Sequence, residues 1–347
     1  MPGAGDRGAG LDLPPMSAEA DRILEVAREA GRRAAALCRA VLAEAPAEPD
    51  AMAKLGKEPV TVADYGSQAV ILDAVAAAFP DHAVISEEGA EHLRENVGEA
   101  GSDQIVRLVS EVLERPLTFE EVCEAIDHEG GAGSPWTWTI DPIDGTKGFL
   151  RRDQYAVAIG VLHEGVPAIG VLACPNLPVD LDRPDGPRGV LFWGGGGHPT
   201  HLEPLDGGAP REVRVSGETD PAKWRVLGSV ESSHGDPKLV LEMMERAGVG
   251  GGFVRYDSQV KYGVVAAGGA EIYVRPRSRP DYRENVWDHA AGVVVCERAG
   301  GKVTDLDGRP LDFTRGKKLT DNRGVLATAG EHVHEKVLAF LAARDGN

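Results

Sequence analysis

Apolar positions recur at helical spacing over residues 17–45, where Ile23, Leu24, Ala27 and Ala30 share one face and Ser17 suits the capping position. A second helix is expected over 64–79, stopped by Pro80. The short apolar run Ala83-Val84-Ile85 then reads as a strand that delivers Ser86-Glu87-Glu88. Between residues 91 and 133 two periodic segments, 105–113 and 119–126, describe a helical insertion closed by Gly130-Gly131-Ala132-Gly133. Strands follow in quick succession over 136–141, 155–162, 166–173 and 189–193, spaced by turn residues as in a meander. The stretch 180–208, rich in Pro and Gly, reads as hairpin loops.

Beyond Arg211 the rhythm changes to strands alternating with helices. Strands are expected over 224–229, 253–257, 270–274, 302–305 and 324–328. Helices are expected over 237–247, 259–267, 287–298 and 331–343. A chain of 347 residues exceeds one compact core. The pattern predicts a disordered leader over 1–15, an α+β domain over 16–210 and an α/β domain over 211–347. No internal repeat is visible.

Charge alters this picture more than composition does. The chain carries 37 basic and 55 acidic side chains, a formal −18. That balance argues against a nucleic-acid polymer as partner, because such binding needs a face rich in Lys and Arg. It also means that a phosphorylated substrate would need local neutralisation, for which a divalent cation is the direct device. Cys38, Cys123, Cys174 and Cys296 form no CxxC pair, which argues against a disulfide framework or zinc site. No apolar run reaches the roughly 18 residues of a membrane span, and the first fifteen residues lack the apolar core of a secretory signal. The expectation is therefore a cytoplasmic protein, with no membrane partner.

The segment Trp138-Thr139-Ile140-Asp141-Pro142-Ile143-Asp144-Gly145-Thr146-Lys147-Gly148 is the most informative. Two aspartates three residues apart end an apolar strand. Pro142 fixes φ and Gly145 permits a tight turn, so both carboxylates can converge on one point. Hard oxygen ligands in that position suit Mg²⁺, and the turn frees the Ile143 carbonyl as a further oxygen. Thr146 stands where a hydroxyl and backbone amides could hold phosphate or orient water. The bland alternative is an Asp-rich turn with solvated carboxylates. Glu58-Pro59-Val60-Thr61-Val62-Ala63-Asp64 places Asp64 at a helix start, as an N-cap or a functional carboxylate. Glu87 and Glu88 leave their strand in different directions, so one can ligate while the other caps or pairs, the bland alternative being a solvated loop. Trp287-Asp288-His289-Ala290-Ala291-Gly292 opens an apolar helix. There Asp288 reads equally as N-cap or ligand, and His289 as a partner supporting the ligands or, by preference, a plain surface residue.

Taken jointly, P-V-T-V-A-D, E-E, D-P-I-D-G-T and W-D-H-A-A-G resemble the lithium-sensitive, magnesium-dependent phosphatase superfamily that includes inositol monophosphatase and fructose bisphosphatase. The likeness runs from about Ser17 to Leu341. The ending Lys147-Gly148-Phe149-Leu150, the long insertion before Asp141, and the segments 257–262 and 282–288 are most similar to its 3′(2′),5′-bisphosphate nucleotidase branch. The resemblance implies a layered αβαβα fold. It implies hydrolysis of the 3′-phosphate of 3′-phosphoadenosine 5′-phosphate, with the 5′-phosphosulfate analogue as a further candidate. Two or three Mg²⁺ ions are implied on Glu87, Asp141, the Ile143 carbonyl, Asp144 and Asp288, with Asp64 and Thr146 activating water. Substrate contacts are implied at Gly145, Thr146, His234, Ser258, Lys261, Arg275 and Asp288, and the chain is expected to be a monomer or weak dimer. Ser258 as a helix cap, Lys261 as a solvated helix residue and His234 as a surface histidine remain the bland alternatives. An inositol-phosphate phosphatase on the same scaffold is the nearest rival. A nucleotide sensor without turnover is the rival of another class. Arg277 and Arg279 make the loop after Arg275 unusually basic, either to attract anions or as plain surface.

Overall fold

The computed structural model describes residues 17–46, 56, 58–131, 133–230, 237–277, 279 and 281–345. Helix α1 (Ala18–Glu44) starts where its pattern places it, with the Ser17 hydroxyl accepting from the Ala20 amide at 3.0 Å. Helix α2 (Glu58–Ala78) begins six residues earlier than expected. The β-branched run Val60-Thr61-Val62 weakens helix propensity, but burial of Val60 and Val62 outweighs it. Strand β1 (Ala83–Ser86) follows, then the insertion as α3 (Ala90–Asn96), α4 (Glu99–Val112) and α5 (Phe119–Ile126). Thr118 and Glu121 form a capping box that starts α5.

Strand β2 (Trp136–Asp144) ends at a five-residue helix, α6 (Thr146–Leu150). Strands β3 (Ala156–His163), β4 (Val166–Pro178), β5 (Arg188–Gly195), β6 (His198–Pro204) and β7 (Arg211–Glu212) complete a seven-stranded sheet in sequential order. Only β1 and β2 pair in parallel; the others are antiparallel. The expected hairpin loops over 180–208 are corrected in part: the expected strand over 189–193 is β5, and all of β6 lies there as well. Prolines at both ends of β6 hide the strand, and they are tolerated because only the two-residue β7 lies beyond it.

The later elements are β8 (Val226–Gly228), α7 (Pro237–Ala247), β9 (Phe253–Arg255), α8 (Val260–Ala266), β10 (Ile272–Arg275), α9 (Ala290–Arg298), β11 (Lys302–Thr304), β12 (Val325–Thr328) and α10 (Glu331–Asp345). They build a five-stranded sheet of order β11-β12-β10-β8-β9. Alternate residues of each strand enter different cores. On β3, Val157, Ile159 and Val161 pack with α1 and α2, while Ala156, Ala158 and Leu162 pack with α8 and α9. On β10, Tyr273 joins that middle core, while Ile272 and Val274 join a third with α7 and α10. The order is helix, sheet, helix, sheet, helix, as expected. Among the described residues no helix is long and apolar enough to cross a membrane. The expected leader lies outside them.

Candidate active site

The D-P-I-D segment is a strand end with a bulge. The β2–β3 ladder pairs Asp141 with Ala158 and Asp144 with Ala156, and passes over Pro142 and Ile143. Pro142 offers its carbonyl to the Ser67 hydroxyl of α2 at 3.1 Å, which ties this turn to the helix carrying Asp64. Gly145 then takes φ +91°, and a side chain there would meet the Ser258 Cβ at 3.0 Å. Glycine is needed for both reasons.

Asp64 sits inside α2, not at its start, so the capping alternative fails. A second correction concerns the W-D-H-A-A-G turn, where α9 begins only at Ala290 and Asp288 precedes it. Asp288 Oδ2 accepts instead from the Asn285 backbone and side-chain amides at 3.4 and 3.3 Å. Two buried glutamines, which the sequence reading missed, hold the acidic turns. Gln68 on α2 donates to the Glu88 carbonyl at 2.7 Å and accepts from the Glu88 amide at 3.1 Å. Gln259 bonds through its backbone to Asp144 and through its side chain around Asp288. A glutamine inside an apolar helix pattern was the available signal.

These elements surround one cleft of about 540 Å³, within the size range of small-molecule sites. Asp64, Glu87, Asp141, Ile143, Asp144, Gly145, Thr146, Ser258, Lys261, Arg275 and Asp288 all line it. His234 lies outside the described residues. Arg277 turns away to the Asn322 carbonyl, and Arg279 is exposed.

Burial raises Asp141 well above the ordinary carboxylate range, and Glu87, Asp144, Asp288 and Asp64 raise it further. Asp64 is raised by burial, then by Glu88 and Glu87. Desolvation raises Glu87 to about 8, with Asp288 and Glu88 adding to it. Glu87 itself is exposed to the water of the cleft. Asp144 rises only to about 6, through burial and Asp288, since Lys261 and Arg275 oppose the rise. Asp141 is 2% exposed, and its Oδ1 is a buried oxygen with no hydrogen-bond partner. An orphaned carboxylate oxygen amid mutually repelling carboxylates, all hard donors, fits a divalent cation of the Mg²⁺ class.

The opposite wall is cationic. Lys261 is 1% exposed, so its solvated alternative fails; its Nζ donates to the Tyr256 carbonyl at 3.0 Å. Burial lowers its pKa to about 8 against the pull of Asp144. Ser258 adopts φ +65° and its hydroxyl accepts from the Val260 amide at 3.2 Å, so part of the capping alternative holds. Burial opposes the charge on Arg275, but Glu284 at 2.9 Å, together with Tyr273, Asp288 and Asp144, outweighs it. His289 is fully buried, so the preferred surface reading fails and the supporting alternative stands: it meets the Tyr262 hydroxyl at 2.8 Å and Glu284 at 3.4 Å. Among the described residues, Glu284, Asp288 and His289 are the group whose potential ligand atoms all lie within 4.8 Å. Glu284 is already engaged by Arg275 and His289, so this group reads as support for Arg275.

The defining pattern of the inositol monophosphatase family matches residues 19–344. The chain belongs to that family. Among relatives of this family member, a 3′(2′),5′-bisphosphate nucleotidase of Emericella nidulans is 38% identical over 84% of this chain and 89% of its own. One of Schizosaccharomyces pombe is 34% identical over 94% and 96%, and one of Oryza sativa 38% over 88% and 89%. Solved inositol monophosphatase folds superpose over most of the chain. The inositol monophosphatase from Anabaena sp. PCC 7120 has a TM-score of 0.59 at 23% identity, covering 94% of this chain and 97% of its own. Inositol monophosphatase II of Staphylococcus aureus has a TM-score of 0.61 at 18%, covering 94% and 95%. These two carry the fold alone.

Proposed function

We propose that this family member is a 3′(2′),5′-bisphosphate nucleotidase that hydrolyses the 3′-phosphate of 3′-phosphoadenosine 5′-phosphate to AMP and phosphate. The observation that carries the reading is one cleft whose first wall is a set of facing carboxylates and whose second wall holds the buried cations Lys261 and Arg275. A nucleotide carrying two phosphates needs both walls. Identity of 34–38% to proteins named as bisphosphate nucleotidases supports it.

Two or three Mg²⁺ ions would be held by Glu87, Asp141, the Ile143 carbonyl, Asp144 and Asp288. When bound they supply charge neutralisation at the phosphoryl oxygens and acidify water. Thr146 and Asp64 hold the attacking water from the α2 and α6 side, its proton passing through the Thr146 hydroxyl to the Asp64 carboxylate. The raised proton affinity of Asp64 suits it to that role. The new bond joins the water oxygen to phosphorus, and the bond to the ribose 3′ oxygen breaks. That oxygen takes a proton from solvent water, and Asp64 returns the proton it accepted to solvent, so that the sum is one water consumed per phosphate released. Ser258, Lys261 and Arg275 grip the rest of the nucleotide, and Lys261 and Arg275 balance its remaining charge. Cytoplasmic location, a monomer or weak dimer, and inhibition by lithium belong to the same reading.

Phosphate release from 3′-phosphoadenosine 5′-phosphate and from inositol 1-phosphate, with Mg²⁺ and with a chelator, tests it. The expected result is Mg²⁺-dependent release with the nucleotide favoured in kcat/KM by roughly tenfold or more. Faster release from inositol 1-phosphate would assign the cleft to the rival substrate, and no release from either would leave a binding protein.

A further inference from the structure

Gln259 is 2% exposed and does not line the cleft, yet it joins the two acidic turns. Its backbone amide donates to Asp144 Oδ2 at 2.6 Å. Its side-chain Nε2 donates to the Trp287 carbonyl at 2.9 Å, one residue before Asp288. Its Oε1 accepts from the Gly292 amide at 3.1 Å.

That last bond matters because a helix leaves its first amides unpaired. Helix α9 begins after His289, whose side chain makes no capping bond. The first turn is capped from another element, by Gln259. Gly292 is where α9 approaches α8 so closely that a Cβ would lie 2.1 Å from the Tyr262 ring, so the helix start cannot slide along its neighbour. Ser258, with φ +65°, turns the chain so that the Gln259 amide faces Asp144 while its side chain runs the other way. Asp144 ends a strand of the seven-stranded sheet, and Asp288 precedes a helix of the middle layer. The two carboxylates line the same cleft and carry like charge, so they repel. A single residue bonded to both turns is the brace that keeps them at fixed separation. Gln68 makes comparable bonds, but only to the Glu87-Glu88 turn and its surroundings.

We propose that Gln259 is a positioning residue that sets the separation of Asp144 and Asp288, and through it the affinity of the cleft for its divalent cation. The inference rests on the ligand roles proposed above for those two aspartates. Gln259→Met keeps the length and loses both side-chain bonds. Gln259→Asn keeps the amide but is too short to span both partners, and as the gentler change it decides the matter if the Met variant does not melt cooperatively.

Mn²⁺ binding without substrate, followed by electron paramagnetic resonance, is the direct readout. The expected result is binding weakened roughly 10- to 100-fold in the variants. Half-saturating Mg²⁺ for phosphate release should rise by a similar factor, while KM for the nucleotide at saturating Mg²⁺ stays within about twofold. A merely structural role would lower the active fraction and leave metal affinity unchanged. A cooperatively folded Gln259→Asn protein that binds Mn²⁺ as tightly as the wild type overturns the inference alone. Wild-type protein that binds no Mn²⁺ overturns the ligand reading, and this inference with it.

Discussion

The wall built on the seven-stranded sheet presents Asp64, Glu87, Asp141 and Asp144, while the wall facing it presents Lys261 and Arg275. Both are polar and both are assembled from distant parts of the chain, but they differ in how complete they are. On the cationic wall each cation has a partner in the protein: Glu284, itself held by His289, at Arg275, and the Tyr256 carbonyl at Lys261. Glu284 is accordingly driven to about 2 despite its burial, by the His289 hydrogen bond and Arg275. On the acidic wall the carboxylates have mainly one another, and their proton affinities rise together. One wall is finished by folding. The other is finished only by what it binds.

The sharpest way to break this contrast is Asp141→Asn, which removes the charge at the centre of the acidic wall. Mg²⁺-dependent kcat on 3′-phosphoadenosine 5′-phosphate should fall by about 10³-fold or more, since charge neutralisation at the phosphoryl group is the main catalytic contribution. Steady-state phosphate release checks it, and a variant with most of its activity left would contradict the assignment. Lys261→Met probes the other wall with a side chain of similar length. Loss of one charged hydrogen bond is worth about 1.5–3 kcal/mol, so KM for the bisphosphate should rise roughly 10- to 100-fold. Turnover of inositol 1-phosphate, which lacks a second phosphate, should move far less; equal loss on both substrates would place Lys261 in the chemistry instead.

The smallest effect concerns stability in a chelator. Glu87 and Asp144 have folded-state values raised to about 8 and about 6, above their unfolded values. Raised carboxyls favour the folded state when protonated, so their contribution is full below the unfolded values and lost as pH rises through the folded ones. The melting temperature in chelator should therefore fall by a few degrees as pH rises from about 4 to about 8, and added Mg²⁺ should flatten the slope. A chelated protein equally stable across that window would show that the acidic wall carries no strain of charge.

The acidic wall was legible in the sequence because its signals are local. Asp141, Pro142, Asp144 and Gly145 sit within five residues, and their spacing alone describes a turn with converging oxygens. Lys261 was harder to place, since nothing near it distinguishes a buried lysine from a solvated one; its burial comes from β10 and the 256–258 loop. His289 was misplaced for the same reason, because Tyr262 and Glu284 reach it from elsewhere in the chain. The start of α2 is read six residues late because an aspartate ahead of an apolar run suits a helix start, and Asp64 is instead inside the helix. Strand β6 was hidden by prolines that only a position near the edge permits.

The mounting of Asp64 has one more consequence. It rides on a helix packed against α1, with Gly66 so close to Leu37 that a Cβ would lie 2.9 Å from that side chain, and with Ser67 anchored to the Pro142 carbonyl. Such a support has no hinge. The backbone that carries Asp64 is fixed in place, and a small change of volume at the α1–α2 seam would be felt at the Asp64 end of the cleft as a displacement.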